Sequence, residues 1–343
     1  MRKKQGIIVL FGGASSEYEV SLRSSFSVLE ALDKEKYIIY KIGITKKGEW
    51  YLFEGENKEI LDGKWQQNGK NKPICVDFSQ KCLLCGGKRI NAALAFPVMH
   101  GEYGEDGRIQ SVFELLGIAL IGPSAKSAFL SMDKHLCKTV AMREGIAVVP
   151  YVAISRRDSY TAEELWEEAS ALGKDLFVKP STAGSSVGIS HIKSRGELEK
   201  AVENALLYSD TALIERAVYG RECEVALLSV GTELIVSEVG EIDYKADFYD
   251  YKTKYHSDAV KYKIPAKIPE ECRLLCQKYA RELYFALGCD SFCRMDFFVT
   301  DSEVYFNEIN AIPGFTEGSM YPMLMAQSGF SLSEVVDILA LEK

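Results

Sequence analysis

The sequence predicts an α/β protein that opens with a parallel sheet and continues with two smaller α+β units. Residues 7–11 are an apolar run typical of a buried strand, residues 12–16 form a glycine-rich turn, and residues 17–32 have a helical pattern. Further apolar runs at 37–44 and 92–97 predict neighbouring strands. A strand, glycine turn, helix and strand in succession indicates a parallel sheet covered by helices. A chain of 343 residues is long enough for two or three domains.

The predicted domains cover residues 1–122, 123–215 and 216–343. Ligands on parallel sheets gather beyond the carboxyl ends of the strands, which here means the turn at 12–17 and the loop at 100–107. The segment 55–87 is polar and irregular in pattern, and we expect it to be peripheral. The later predicted elements are helices at 124–145, 162–172 and 270–287, a strand entering a loop at 175–188, strands at 225–230 and 234–241, and a final hairpin.

Composition and charge exclude several classes of protein. The net charge of −8 at pH 7 and the pI of about 5.3 weigh against a nucleic-acid partner. No run of about 18 apolar residues is present, which predicts no membrane-spanning helix. The first apolar run is too short for a signal peptide. We therefore expect a cytoplasmic protein without a membrane partner.

The nine cysteines are an odd number scattered along the chain. This is the pattern of reduced thiols in a cytosolic protein, so we expect no disulfide bonds. Cys82 and Cys85 have the spacing of a zinc ribbon, but no second such pair follows. The pairs at 272/276 and 289/293 are interpreted as small buried hydrophobic residues.

The most informative segment is the strand-like run at 304–316, which contains Glu308 and Asn310. Side chains two residues apart on a strand project from the same face. Asp296 lies on a preceding apolar run, joined by the turn-prone residues 300–303, so a hairpin would bring three oxygen donors together. Mg²⁺ prefers such hard ligands, with substrate phosphates completing its octahedron. The alternative is an ordinary exposed strand with polar residues on its wet face.

Arg294 favours the metal site over the exposed strand. Alternation along residues 291–299 places it on one face with Phe292, Asp296 and Phe298. A cation and an anion among aromatic side chains are costly unless they are paired or bind something. The hairpin therefore predicts a site for a nucleotide and its metal ions.

Two glycine-rich turns carry weaker signals. The loop after Lys179 offers backbone N–H and hydroxyl groups that would suit phosphate oxygens. The same residue types fill ordinary turns, and the P-loop pattern is absent. Lys179 ends an apolar strand, which favours an anion facing it. Glu17 follows Gly12 and Gly13 at a predicted helix start. Its carboxylate would either be stabilised there by the helix dipole or bind an ammonium group.

His100 differs from the other histidines because it follows an apolar strand and precedes a glycine loop. His135, His191 and His256 lie in polar or helical context, and we predict them at the surface. No His/Cys cluster has zinc spacing, and the G-x-S-x-G motif of serine hydrolases is absent. The chemistry would therefore depend on metal ions, phosphate contacts and Arg294.

With these motifs in order, the chain resembles the D-alanine:D-alanine ligase family of the ATP-grasp superfamily. The resemblance covers nearly the whole sequence, with departures at Thr182, Ala183 and the segment 55–87. It implies an ATP-grasp fold, a three-domain α+β ligase with an N-terminal parallel-sheet domain. The seven motifs that carry it lie at residues 11–21, 100–107, 131–134, 178–188, 248–255, 294–296 and 307–316.

The resemblance implies a nucleotide site with metal ions. The lysines would contact phosphates, the last of them from a loop that closes over the site, and the glutamates would hold the adenine amine and ribose hydroxyls. Two Mg²⁺ ions would be bound, for which Mn²⁺ could substitute, and K⁺ is a further candidate ion. The implied ATP-binding residues are Lys134, Lys179, Ser186, Glu215, Glu222 and Lys254. The implied metal ligands are Asp296, Glu308 and Asn310.

The resemblance also implies a two-step reaction on amino acids. The first D-alanine would place its ammonium at Glu17 and its carboxylate near His100, attack the γ-phosphate of ATP, and become an acyl phosphate. The amine of the second D-alanine, its carboxylate held by Ser319 and the Met320 N–H, would then attack that carbonyl.

Two further groups complete the implied site. Arg294 and the Gly314 N–H would stabilise the tetrahedral oxyanion, an interaction that tightens as charge develops. Ser185 and Tyr255 would form a hydrogen-bonded set with Glu17, as in family members that make a dipeptide. Tyr255 therefore favours D-alanine as second substrate over D-serine, with D-lactate less favoured still.

Other functions remain open from the sequence. A nucleotide-binding regulatory protein on the same fold would have lost a metal ligand, Arg294 or a phosphate lysine, and all of these are present. Another ATP-grasp enzyme, such as a carboxylase, is a third alternative, which Tyr255 and the His100 loop disfavour. The resemblance further suggests a homodimer.

Overall fold

The structure is a computed structural model that describes residues 4–243 and 261–341. The predicted closing-loop motif at 248–255, which includes Lys254 and Tyr255, lies outside the described residues. His256 lies outside them as well.

An eight-stranded sheet occupies the first third of the chain. Alternate residues of its central strand, β1 (Gln5–Gly12), pack against helices on the two faces, so the strand is buried. The strands that follow are β2 Tyr37–Ile44, β3 Trp50–Phe53, β4 Lys72–Asp77, β5 Cys82–Cys85, β6 Lys88–Arg89, β7 Leu94–Pro97 and β8 Ala119–Leu120. The helices are α1 Tyr18–Ala31, α2 Asn57–Leu61 and α3 Arg108–Leu116.

The order of this sheet is β6-β5-β4-β3-β2-β1-β7-β8. β1 pairs in parallel with both β2 and β7, and β7 with β8, as predicted. The pairs from β2 to β6 are antiparallel, so the sheet as a whole is mixed. The carboxyl ends of β1 and β7 therefore lie side by side. Because the turn containing Glu17 follows β1 and His100 follows β7, both side chains belong to this edge of the sheet.

The prediction of an irregular segment at 55–87 was wrong. It contains α2, β4 and β5, and the strands extend the outer edge of the sheet. Trp65 is fully buried, packs edge-on against Phe11 with ring centroids 5.1 Å apart, and donates to the Tyr18 hydroxyl at 2.8 Å. The elements of this segment are short, and its fully buried residues Ile60, Trp65 and Leu83 lie far apart in sequence, so no strand or helix periodicity is visible.

The predicted helix at 124–145 is two helices, α4 (Ala125–Met132) and α5 (Lys134–Arg143). Asp133 separates them because its side chain accepts hydrogen bonds from the backbone N–H groups of His135 and Leu136, at 2.9 and 3.1 Å. This is the N-cap geometry that favours aspartate. The cap starts α5 with Lys134 in its first turn.

A four-stranded antiparallel sheet follows, in the order β11-β10-β12-β9. Two helices cover one face through apolar side chains such as Leu165 and Val202. The other face is turned towards the third sheet. The strands are β9 Tyr151–Ser155, β10 Leu176–Pro180, β11 Ser190–Ile192 and β12 Thr211–Arg216, and the helices are α6 Ala162–Leu172 and α7 Arg195–Leu206.

The third sheet has the order β15-β14-β13-β16-β17 among the described residues. One face packs on α8, and the other shares a core with the first sheet, where Phe292 contacts Phe96 and Phe315 edge-on. The strands are β13 Arg221–Val230, β14 Glu233–Asp243, β15 Lys261–Lys263, β16 Phe292–Val299 and β17 Val304–Asn310. The helices are α8 Glu270–Ala286, α9 Met320–Gln327 and α10 Leu332–Leu341.

All nine cysteines are free thiols, as predicted. Cys272, Cys276 and Cys293 are buried, whereas Cys289 is half-buried. Within residues 4–243 and 261–341, no single helix is long and apolar enough to cross a membrane. The helices α9 and α10, which are bent by 92° relative to each other, are long and apolar enough only when they are taken together, and by length and composition alone.

Candidate functional site

A cleft lies between the second and third sheets and continues towards the carboxyl ends of β1 and β7. Lys179 and Glu215 line its first part, between the two sheets. Glu17 and His100 line its second part, beside the first sheet. Arg294 borders both parts, so the two are adjoining regions of one cleft.

The predicted hairpin forms from β16 and β17, and it brings the three oxygen donors together. Asp296 pairs with Glu308 across the two strands, and Arg294 pairs with Asn310. The Asn310 amide nitrogen donates to Asp296 Oδ2 at 2.9 Å. Residues 293, 295 and 297 face the opposite side, in the core beneath α8. The convergence predicted from i and i+2 spacing is therefore present in the fold.

Arg294 is buried and held by two carboxylates. Its Nε and Nη2 donate to the two oxygens of Asp296 at 2.8 and 2.7 Å, and Nη2 lies 3.1 Å from Glu224 Oε1. Burial lowers the pKa of Arg294, but Asp296 and then Glu224 outweigh burial and raise it well above its usual value. The guanidinium is therefore a permanent cation in the cleft.

The donor set fits Mg²⁺ better than a transition metal. Among the residues that the structure describes, no group of three His, Cys, Asp or Glu side chains could hold a metal ion. Asp296, Glu308 and Asn310 supply two carboxylates and one amide, all hard oxygen donors. Mg²⁺ is commonly bound by one or two carboxylates together with substrate phosphates. The site therefore suits a metal that arrives with a phosphate ligand.

Lys134 links this hairpin to the serine-rich loop of the second sheet. Its Nζ lies 3.2 Å from Glu308 Oε2 and donates to the Ala183 carbonyl at 2.7 Å. In the same loop, Ser185 and Ser186 have φ angles of 50° and 59°. Residues other than glycine rarely adopt this left-handed conformation, which is enriched at ligand-binding sites. Ser186 lines the cleft beside Glu222, which stands on β13.

Lys179 faces an anion, but that anion belongs to the protein. Its Nζ lies 2.9 Å from Glu215 Oε2 and donates to Asn307 Oδ1 at 3.1 Å. On the far side, Lys138 Nζ lies 3.1 Å from Glu215 Oε1, an ion pair without hydrogen-bond alignment. Burial raises the pKa of Glu215, but Lys138 and Lys179 together hold it below its usual value. Burial lowers the pKa of Lys138 to about 8.

The surface prediction for His191 was wrong. It pairs with Phe177 across β10 and β11, and Phe177 pairs with Glu215 across β10 and β12. Directly opposed residues on antiparallel strands share a face, so the three side chains form one row on the cleft. The rings of Phe177 and His191 stack with centroids 4.5 Å apart and planes 9° from parallel. His135 is also half-buried, with Nδ1 3.1 Å from the Tyr151 hydroxyl.

Glu17 does not cap α1 through its side chain. Its carboxylate is buried and accepts a hydrogen bond from the Ser185 hydroxyl, which joins the first sheet to the serine loop. Gly101 has φ +70°, and a Cβ there would lie 2.4 Å from Glu17 Oε2. A Cβ on Gly184 would lie 3.2 Å from the same oxygen. Two glycines therefore leave the space that this carboxylate occupies.

His100 fastens the first sheet to the segment after β17. Its Nδ1 donates to the Ile312 carbonyl at 2.9 Å, and its Nε2 lies 3.0 Å from Ser24 Oγ. Further along, Ser319 precedes α9, and its hydroxyl lies 2.8 Å from that of Thr316. A Cβ on Gly314 would lie 2.7 Å from Ser319 Oγ, so a larger residue there would displace the Ser319 hydroxyl. The same region of the cleft is lined by Arg294, Gly314, Ser319 and Met320.

Sequence reasoning missed three residues that line this cleft and one buried cation behind it. Phe177 lies on a strand with an ordinary apolar pattern, which hid its contact with the cleft. Lys138 is fully buried behind Glu215. Glu224 stands one strand away from Asp296 and alternates with Glu222, a signal of the same i and i+2 kind that located Glu308 and Asn310. His191 carried no local signal, since its position depends on strand pairing.

Family models and related proteins match this chain over nearly its whole length. The family model described as D-ala D-ala ligase N-terminus matches residues 6–123, and the one described as D-ala D-ala ligase C-terminus matches residues 140–340. The D-alanine--D-alanine ligase of Caldicellulosiruptor bescii is 40% identical, with 99% of this chain and 96% of that protein covered. The enzyme of Clostridium acetobutylicum is 41% identical, with 98% and 96% covered.

Solved structures agree with the sequence relatives. VanG D-Ala:D-Ser ligase from Enterococcus faecalis superposes with a TM-score of 0.90 at 40% identity, covering 99% of both chains. The D-alanine-D-alanine ligase from Coxiella burnetii superposes with a TM-score of 0.87 at 33% identity, covering 99% of this chain and 94% of that one. By sequence and by fold, this chain belongs to the D-ala D-ala ligase family.

Proposed function

We propose that this protein uses ATP to join two molecules of D-alanine into D-alanyl-D-alanine, a precursor of cell-wall peptidoglycan. One observation carries the proposal. A single cleft holds the oxygen donors Asp296 and Glu308, the buried cation Arg294, and the buried anion Glu17. These charges are complementary to a metal-bound phosphate, a developing oxyanion and an ammonium group, respectively.

ATP would lie between the second and third sheets. Phe177 offers an apolar wall for the base, and Glu215 and Glu222 stand where they would accept from the adenine amine and the ribose hydroxyls. Lys134 and Lys179 would contact the phosphates, as would Ser186. Since Lys134 and Lys179 already pair with Glu308 and Glu215, phosphate binding would redistribute existing ion pairs, and no bare charge would have to be neutralised.

Asp296, Glu308 and Asn310 would hold two Mg²⁺ ions together with the phosphates. Such ions would supply positive charge that spreads the negative charge of phosphoryl transfer. Mn²⁺ as a substitute and K⁺ as a further ion are part of the same proposal.

The amino acids would occupy the part of the cleft beside the first sheet. Glu17, steadied by Ser185, would bind the ammonium of the first D-alanine, and the rigid His100 would face its carboxylate. That carboxylate would attack the γ-phosphorus of ATP and become an acyl phosphate, while the bond from the γ-phosphorus to the β–γ bridging oxygen breaks and ADP leaves with its electron pair. Ser319 and the Met320 N–H at the start of α9 would hold the carboxylate of the second D-alanine, because helix N-termini favour anions.

Peptide bond formation then takes place at Arg294. The amine of the second D-alanine attacks the acyl carbonyl, and Arg294 with the Gly314 N–H would stabilise the resulting oxyanion. The attacking nitrogen loses a proton, phosphate leaves with the electron pair of the C–O bond, and the dipeptide remains. Lys254 and Tyr255, outside the described residues, would close over the site and keep water from the acyl phosphate.

The test is a coupled measurement of phosphate release and dipeptide formation by the purified protein. We expect phosphate release to require both Mg²⁺ and D-alanine, and D-alanyl-D-alanine to form in equal amount. Equal ATP hydrolysis with L-alanine, or phosphate release without dipeptide, would contradict the substrate assignment.

D-alanyl-D-serine synthesis is a second candidate product, favoured by the close superposition on VanG D-Ala:D-Ser ligase. A competition assay that offers D-alanine, D-serine and D-lactate together separates the possibilities. We expect D-alanyl-D-alanine to dominate. A majority of D-alanyl-D-serine would replace D-alanine as the second substrate without changing the reaction.

Three further statements belong to the same proposal. We expect the protein to act in the cytoplasm on small molecules and to form a homodimer. We also expect the domain boundaries to fall near residues 122 and 215, between the three sheets. Size-exclusion chromatography with light scattering tests the dimer, and limited proteolysis tests the boundaries.

A further inference from the structure

Glu224 is a buried carboxylate that the proposed reaction does not use. It stands on β13 directly opposite Asp296 on β16, and Ala226, two residues on, stands opposite Arg294. The side chain of Glu224 is 5% exposed and that of Arg294 is 9% exposed. Glu224 Oε1 lies 3.1 Å from Arg294 Nη2, and the residue borders both parts of the cleft.

Arg294 therefore pairs with two carboxylates, Asp296 and Glu224, which have different proposed roles. Asp296 binds it more closely, through two hydrogen bonds of 2.8 and 2.7 Å. Asp296 is also the proposed metal ligand, and a carboxylate that binds a divalent cation attracts a neighbouring guanidinium less. Glu224 lies on the other strand and is absent from the proposed metal ligands, so its hold on Arg294 does not depend on the metal.

We propose that Glu224 is a positioning residue that keeps the Arg294 guanidinium aimed at the reacting carbonyl when Asp296 is engaged with metal. The proposal rests on the proposed function, since it acts through the oxyanion role of Arg294. A preorganised donor stabilises charge only if it stays in place, and a misplacement of about 1 Å can cost roughly 100-fold in rate. The cross-strand register fixes Glu224 more firmly than a loop could.

The charges around Arg294 are consistent with these separate roles of Asp296 and Glu224. Asp296, Glu224 and Glu308 all raise the pKa of Arg294 against the effect of burial. Among residues 4–243 and 261–341, Lys134 is a second cation close to these carboxylates, and it pairs with Glu308. The negative charge of Glu224 therefore balances the positive charge of Arg294, while Lys134 balances the negative charge of Glu308 on the hairpin.

The first experiment compares Glu224→Gln with Glu241→Gln. Glu241 is a matched control because it is equally buried on the neighbouring strand, pairs with Lys263 at 3.3 Å, and does not line the cleft. For Glu224→Gln we expect kcat for dipeptide to fall about 10- to 100-fold, with the Kd for Mg-ATP changed less than about twofold. The control should keep both values.

A second readout separates positioning from a general structural effect. Because Arg294 acts on the peptide-forming step, Glu224→Gln should release more phosphate per dipeptide than the wild type, as acyl phosphate is lost to water. Unchanged coupling together with weaker Mg-ATP binding would overturn the proposal and place Glu224 at the metal. Glu224→Asp, which keeps the charge, should recover part of kcat if the first variant folds poorly.

A double-mutant cycle completes the test. If Glu224 acts through Arg294, combining Glu224→Gln with Arg294→Lys should cost no more than Arg294→Lys alone. Additive losses would show that Glu224 acts through another partner and would overturn the proposal. The wild-type protein in the same assay tests the proposed function separately, because absence of wild-type dipeptide synthesis refutes that function whatever the variants do.

Discussion

Strands carry the side chains of one half of the cleft, whereas loops carry those of the other. In the nucleotide half, defined by Phe177, Lys179, His191 and Glu215, neighbouring strands of one sheet place three side chains in a single row. In the amino-acid half, defined by Glu17, His100, Ser185, Gly314 and Ser319, turns and loops from three different sheets meet. Strand register fixes the first half, and contacts between sheets fix the second.

The two halves also differ in how they hold charge. Glu215 in the nucleotide half lies between two lysines, so its charge is balanced within the protein. Glu17 in the amino-acid half is held by a serine hydroxyl and by glycines that leave room for it. The nucleotide half is consequently preorganised by ion pairs, while the amino-acid half depends on exact packing. Small steric changes should therefore harm the amino-acid half more.

The largest effect is expected for Arg294→Ala, at the junction of the two halves. Loss of an oxyanion donor should lower turnover roughly 100- to 1,000-fold, with little change in ATP affinity. Steady-state kinetics of dipeptide formation and a direct ATP-binding measurement check both parts. Unchanged turnover would show that Arg294 has no role in catalysis, although it borders both halves of the cleft.

Gly101→Ala should injure the amino-acid half selectively. The new Cβ would approach Glu17 Oε2 to 2.4 Å, so we expect kcat/KM for D-alanine to fall about tenfold or more, with ATP affinity kept. Gly48→Ala is the matched control, because Gly48 also has positive φ but nothing lies within 4 Å of its Cβ position. Both variants should lose about 1 kcal/mol of stability. Equal kinetic losses in the two variants would show that backbone strain alone is responsible.

His191→Phe should have a smaller effect, confined to the nucleotide half. The Nε2 atom of His191 is buried and lacks a hydrogen-bond partner within residues 4–243 and 261–341, so a bound nucleotide could supply one. A phenylalanine keeps the stacking on Phe177 but loses this bond, worth about 1 kcal/mol, or about fivefold in Kd for ATP. His191→Leu should weaken binding further by removing the stack. An unchanged Kd in His191→Phe would leave the ring with a packing role alone.

The smallest effect concerns pH and the ion pairs beneath Glu215. Burial lowers the pKa of Lys138 from 10.5 to about 8, so between these values the unfolded chain binds more protons at this group than the folded protein. The contribution of Lys138 to the free energy of unfolding therefore rises with pH in that window. Between pH 8 and pH 9, the free energy of unfolding of the wild type should therefore increase by about 1 kcal/mol relative to that of Lys138→Met. Urea unfolding at both pH values measures it, and parallel behaviour of the two proteins would contradict the shift.

The hairpin of β16 and β17 was predictable because its information is local. The spacing of Glu308 and Asn310, the turn at 300–303, and a charged pair among aromatic residues together specify a convergent site. The parallel pairing of β1 with β2 and β7 followed from the same kind of local pattern. Segment 55–87 was not predictable, since its elements are short and its fully buried residues Ile60, Trp65 and Leu83 are too widely spaced to give a periodic pattern.

The sequence by itself determined the family, the order of the strands and helices around the cleft, and the identity of the oxygen donors. Only the tertiary structure decided that Lys179 faces Glu215, that His191 stacks on Phe177, and that Glu224 holds Arg294. The physical reason is the range of the interactions. Side-chain alternation and capping act over a few residues, whereas these contacts join residues far apart in sequence and depend on strand register and on how the sheets pack.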